Sequence, residues 1–205
     1  MPPIRMMLFL PGYIFILFCV EEAQGTDWTM AYSRLRKHVI AKNRLLTTLP
    51  KLTKEWRVSF DVNPTSFSRR MASVLHMTIG GKGSGSGSRV GDRIPAIWFH
   101  KTKGTLVSTA LNGKVSYNMK GALPLPGEWT RIEVSQTLVV SKYMFSITIG
   151  GEQVFTKQNT KPVELSDVKV YAGSPWYSGQ KGSLRKLKIE TKTTDCATGE
   201  THFHF

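Results

Sequence analysis

The side chains of this chain best equipped for chemistry are cations, and they fall into two groups at opposite ends of the sequence. Arg34, Arg36, Lys37, His38, Lys42 and Arg44 form the first group; Lys181, Arg185, Lys186, Lys188 and Lys192 form the second. Guanidinium and ammonium groups hold sulfate, carboxylate or phosphate through charge-assisted hydrogen bonds. The run Leu184-Arg185-Lys186-Leu187-Lys188-Ile189 matches a basic pattern often quoted for heparin sites. On a strand, alternation sends Lys186 and Lys188 to one face and Arg185 to the other. If the first and last strands pair, Lys186 and Lys188 share an outward face with some of Arg36, Lys37 and Lys42 and the two groups merge into one patch. Otherwise these charges are a solvated polar face. Trp176 and Tyr177 follow Ser174-Pro175 in a turn-rich stretch. Amphipathic rings in such a place either stack on a sugar face or pack against the edge of the fold.

The remaining chemistry-bearing residues do not assemble into a catalytic set. Glycoside hydrolysis needs two carboxylates flanking the scissile bond, but Glu133 has no acidic neighbour, and Glu164 and Asp167 lie at a loop-to-strand junction. His38, His76 and His100 are scattered, and no Gly-x-Ser-x-Gly elbow presents a nucleophile. His202 and His204, two residues apart in the polar tail, have no further ligands beside them for a metal. The pattern reads as a binding protein and not an enzyme, with no cofactor.

The first twenty-five residues have the form of a cleavable secretory signal. Arg5 supplies the positive start, Met6 to Val20 an apolar core shorter than the ~20 residues that span a bilayer, and Ala23-Gln24-Gly25 the small residues of a cleavage site. The full chain has 28 Lys and Arg against 14 Asp and Glu, a net charge of +14. Removing Arg5, Glu21 and Glu22 with the signal leaves 27 against 12, or +15. That excess outside the cell points to anionic glycans, extracellular matrix or anionic membrane surfaces as partners, not nucleic acid. Cys19 leaves with the signal, so Cys196 is either a free thiol or a bridge to a second chain, which gives an alternative role as a structural protein–protein interaction module. Asn63-Pro64-Thr65 is blocked as a glycosylation site by its proline.

The elements that must position these groups are almost all strands. Trp56, Val58, Phe60 and Val62 alternate with Arg57, Ser59 and Asp61. Met71, Ser73, Leu75, Met77 and Ile79 form a second row, with Val74 and His76 on its reverse. Ile94 to Phe99 is apolar on both faces, as a central strand requires. Ile132 and Val134, then Tyr143, Phe145, Ile147 and Ile149, then Val168 and Val170, then Leu187 and Ile189 continue the alternation. Asn112-Gly113 and Gly150-Gly151 are two-residue hairpin turns, and Lys103-Gly104 is a third. Only Tyr32 to Lys42 is compatible with a helix, although Val39 and Ile40 favour a strand. Eleven or twelve short strands imply an all-β, two-sheet antiparallel sandwich over residues 26–190, between the signal at 1–25 and a C-terminal tail at 191–205. Gly80 to Gly91 holds a Gly/Ser-rich excursion between two of its strands.

Three stretches resemble the laminin-G-like and concanavalin A-like jelly-roll lectin domains. They are Leu49-Pro50-Lys51-Leu52-Thr53-Lys54-Glu55-Trp56 with the strand that follows, Gly127-Glu128-Trp129 leading into Ile132, and the closing run Val168 to Ala172, Pro175-Trp176-Tyr177 and Gly182-Ser183-Leu184-Arg185-Lys186-Leu187. The resemblance covers roughly residues 36 to 190. It implies a jelly roll and says little about ligand, since the fold hosts lectins, adhesion modules and glycosidases. Galectins carry a His-x-Asn-x-Arg strand, which neither His76-Met77-Thr78 nor His100-Lys101-Thr102 reproduces. Laminin-G domains hold calcium on a rim through an Asp and backbone carbonyls; Asp92 is the one carboxylate here that suits such a role, or else it is a turn residue paired with Arg93.

Overall fold

A computed structural model describes residues 28–80 and 89–192. These residues form strands β1 (Trp28–Arg34), β2 (His38–Val39), β3 (Leu45–Leu52), β4 (Glu55–Pro64), β5 (Ala72–Thr78), β6 (Ala96–His100), β7 (Gly104–Leu111), β8 (Lys114–Gly121), β9 (Thr130–Val139), β10 (Lys142–Ile149), β11 (Glu152–Gln158), β12 (Leu165–Ala172) and β13 (Gly182–Lys192). They pair into two antiparallel sheets. The larger runs β1-β13-β4-β9-β10-β11, with β2 added to β13, and the smaller runs β3-β12-β5-β6-β7-β8.

Alternation dictates the core. Trp56, Val58, Phe60 and Val62 turn inward from β4, where they meet Ile132 and Val134 of β9, Phe145 and Ile147 of β10, and Leu184, Leu187 and Ile189 of β13. The smaller sheet answers with Val74, Leu75, Met77, Ile97, Phe99, Val107, Val168 and Val170. Phe60 is completely buried, and Trp56 meets Phe145 edge-on at 6.1 Å. Asn112-Gly113 and Gly150-Gly151 close β7–β8 and β10–β11, all four residues at positive φ. Gly104, also at positive φ, opens β7 after the turn at 101–103.

Three expectations are corrected. The row on β5 slips, because the register shifts between Ser73 and Leu75. Val74 therefore joins Leu75 and Met77 in the core, while Met71 and Ile79 at the ends stay exposed. The stretch Tyr32–Lys42 is not helical: β1 and β2 both pair with β13, whose open edge supplies hydrogen bonds that a helix would forgo. The last strand runs to Lys192, two residues past the expected end of the sandwich.

Candidate functional site

A cleft of about 840 Å³ opens between the β4–β5 and β12–β13 connections. Its walls are Ser66, Phe67, Ser68, Arg70, Met71 and Ala72 on one side and Trp176 to Lys181 on the other. Both walls are anchored to the sandwich. Phe67 packs edge-on against Phe99 at 5.7 Å. The buried Gln180 side-chain amide donates to the Ser66 carbonyl at 2.5 Å and to the Lys181 carbonyl at 2.9 Å, which ties one wall to the other. Gly173 begins the second wall at φ +110°, with the Ala41 carbonyl lying where a Cβ would be. Only glycine fits there without displacing backbone.

A buried serine and histidine hold the aromatic wall. Ser174 Oγ accepts the N–H groups of Trp176 (3.1 Å) and Tyr177 (3.3 Å). It lies 3.3 Å from His76 Nδ1, while His76 Nε2 lies 2.8 Å from the Asp92 carbonyl. A carbonyl only accepts, so Nε2 carries the proton and Nδ1 accepts from the Ser174 hydroxyl. His76 is fully buried on the outer face of the smaller sheet, edge-on to Trp98 (5.9 Å) and Trp176 (5.0 Å). Burial pulls its pKa down to about 4, and the nearby Arg93 charge acts in the same direction against the Asp92 carbonyl. Neutral imidazole is thus the form that holds the wall at pH 7.

On the outer face of the larger sheet, Asp61 gathers three cations. Its carboxylate lies 3.2 Å from Arg131, 3.3 Å from Arg185 and 3.4 Å from Lys186. Burial alone would raise the Asp61 pKa, but the hydrogen bonds and charges of Arg131, Lys186 and Arg185 outweigh it and hold the pKa below the usual range. The Arg185 guanidinium also lies 4.0 Å above the Trp129 ring. One carboxylate among three cations leaves a local surplus of positive charge.

No protein-family model matches the chain, and no curated protein matches it in sequence. Solved structures do. Domains LG4-5 of the mouse laminin α1 chain superpose with a TM-score of 0.51 at 12% identity, over 78% of this chain and 41% of that one. The CBM40 domain of the Ruminococcus gnavus IT-sialidase superposes with a TM-score of 0.50 at 12% identity, over 78% of this chain and 94% of its own. The fold is the concanavalin A-like jelly roll. At such identity the likeness is one of fold.

Within this jelly roll the first and last strands do pair, Ser33 with Lys188 and Arg34 with Leu187, and the Lys186 N–H faces the Leu35 carbonyl at 3.4 Å. The exposed Arg36 and Lys37 follow Leu35 directly, so their loop adjoins Lys186. Lys42 goes elsewhere: its neighbours Ala41 and Asn43 donate to the Ala172 and Ser174 carbonyls, which puts it beside the cleft-forming connection. Strict alternation fails on β13. The register shifts between Arg185 and Lys188, and Lys186 takes φ +50°, so Leu184 and Leu187 both reach the core while Arg185 turns outward with Lys186. Trp176 and Tyr177 line the cleft and also pack, on His76 and Trp98 respectively.

Asp92 is buried in a turn, its carboxylate accepting the Arg89 N–H at 3.1 Å. Arg93 reaches Ser116 at 2.6 Å and lies over the Trp98 ring. Among the described residues no three of His, Cys, Asp and Glu gather as metal ligands. The expected signal at 1–25, Cys196, His202, His204 and residues 81–88 of the Gly/Ser excursion lie outside the described residues. Phe67, Arg70 and Gln180 were missed as site residues. The serine- and arginine-rich run Ser66-Phe67-Ser68-Arg69-Arg70 between two strands is the sequence signal for Phe67 and Arg70; Gln180 has no such local pattern.

Proposed function

We propose that this chain is a secreted, non-catalytic binding module for anionic glycans or the glycan component of extracellular matrix, with the Trp176–Tyr177 cleft as its primary site. One observation carries the reading: the cleft brings together the aromatic residues Phe67, Trp176 and Tyr177, the cations Arg70 and Lys181, and the serines Ser66, Ser68 and Ser178. Rings offer an apolar plane to a sugar face, hydroxyls offer exchangeable hydrogen bonds, and cations select sulfate or carboxylate. Such a wall supplies binding groups and no carboxylate pair for hydrolysis. Lys181 leads straight into β13, whose outward side presents Arg185, Lys186 and Lys188. An extended acidic chain would therefore continue from the cleft along that strand to Arg36 and Lys37. Laminin LG domains and the CBM40 domain of a sialidase share the fold, although fold alone assigns no ligand.

The test is an array of sulfated, sialylated and neutral glycans probed with the purified chain and with Trp176→Ala and Arg70→Glu/Lys181→Glu variants. The expected result is retention on acidic glycans only, weakened about tenfold or more in both variants. Equal binding to neutral and acidic glycans, or undiminished binding by folded variants, would refute the reading.

A further inference from the structure

The β9–β10 hairpin ends in an exposed apolar tip. Leu138 is 40% exposed, Val139 50% and Val140 90%. Val140 and Ser141, the two turn residues, have φ +44° and +64°. A two-residue turn with both φ angles positive is the type that favours Asn-Gly, and a β-branched residue at positive φ is an outlier. The same molecule closes two other hairpins with Asn112-Gly113 and Gly150-Gly151. At this one turn it carries a residue that both the backbone and the solvent disfavour, and Val140 gains no packing in return. Strain of this kind concentrates where a surface is used.

The surroundings indicate what the tip meets. Lys142 follows the turn directly. Lys54 lies beside it, because the Gln136 amide donates to the Lys54 carbonyl (2.7 Å) and the Leu138 N–H donates to the Glu55 carboxylate (2.7 Å). Both lysines are exposed, and among the described residues neither has an acidic partner, while Glu55 itself is buried against Lys192. A protruding apolar knob flanked by free ammonium groups matches a bilayer interface with anionic headgroups. There the valines enter the acyl boundary and the lysines remain at headgroup level. We propose that the Leu138–Val139–Val140 tip inserts shallowly into membranes that contain anionic lipid. Pairing of Trp56 with Gln136 and of Val62 with Thr130 places this tip at the opposite end of the larger sheet from the cleft, so the proposal does not depend on glycan binding.

The test is sedimentation of the purified full chain with vesicles of phosphatidylcholine alone or of equal parts phosphatidylcholine and phosphatidylserine. Wild type should bind the second and not the first. Val140→Asn/Ser141→Gly installs the favoured turn and should raise the thermal midpoint while weakening vesicle binding about tenfold or more. Lys54→Glu/Lys142→Glu should weaken it comparably, whereas Arg70→Glu/Lys181→Glu, with the same change in net charge, should leave it nearly intact. The proposal fails if wild type ignores phosphatidylserine vesicles, or if the turn variant binds as well as wild type. It also fails if the two charge-reversed variants lose equally, since net charge would then explain the binding. Concentration-dependent dimerisation that disappears in the turn variant, without vesicle binding, would instead make the tip a contact between copies and overturn the proposal.

Discussion

Protonating His76 would put a charge among the Trp98 and Trp176 rings with Arg93 close by. Its pKa is about 4 in the fold against 6.5 when exposed, so the unfolded chain binds the proton more readily. The stability this contributes is complete above pH 6.5 and is lost as pH falls through about 4, a difference on the order of 3 kcal/mol. Urea unfolding at pH 7 and at pH 4.5 should show that loss, and His76→Gln should flatten the slope between the two. A second residue-scale expectation concerns Phe60, buried completely at the centre of β4. Phe60→Ala should cost about 3–5 kcal/mol through lost transfer energy and a residual cavity, measured by equilibrium denaturation. Phe60 was legible from period-two alternation alone. The role of His76 was not, because Ser174, Trp176 and Asp92, which surround it, are brought together by tertiary structure and leave no local pattern.

At the scale of elements, the hairpin dipeptides read directly, since Asn112-Gly113 and Gly150-Gly151 answer a purely local demand for positive φ. The bulge in β13 did not, although Leu184 and Leu187 stand three apart where strict alternation needs an even number. That spacing was the available sign that Arg185 and Lys186 turn outward together. The stretch from Tyr32 to Lys42 was ambiguous for a different reason: β1 and β2 owe their form to pairing with β13, some 150 residues later in the chain. If the outward side of β13 extends the glycan site, Lys186→Glu/Lys188→Glu should reduce the salt needed to elute the chain from heparin. Lys101→Glu/Lys103→Glu, on the exposed β6–β7 turn, should reduce it much less. Each exposed ion pair is worth roughly 0–1 kcal/mol, so only a set acting together holds a polyanion, and retention should fall steeply with ionic strength. Equal losses from the two variants would reduce the strand to a share of net charge.

At the scale of the whole molecule, the two-sheet sandwich followed from alternation and turn chemistry, and the resemblance to jelly rolls specified its topology. The cleft escaped the sequence because its walls come from connections more than 100 residues apart. Cleft and apolar tip occupy opposite ends of the larger sheet and share no partner, so their effects on stability should add. The quadruple variant Arg70→Glu/Lys181→Glu/Val140→Asn/Ser141→Gly should shift the thermal midpoint by the sum of the two double variants' shifts. The pairing of β1 with β13 carries a mechanical consequence as well. Trp28 faces Lys192, so the two strands enter and leave the sandwich side by side. Their hydrogen bonds lie perpendicular to the strands, hence along the direction of a pull that separates these two residues. Tension applied there loads the bonds one after another, as in a zipper, and never all at once. Under load the sandwich should open from β1 at low force.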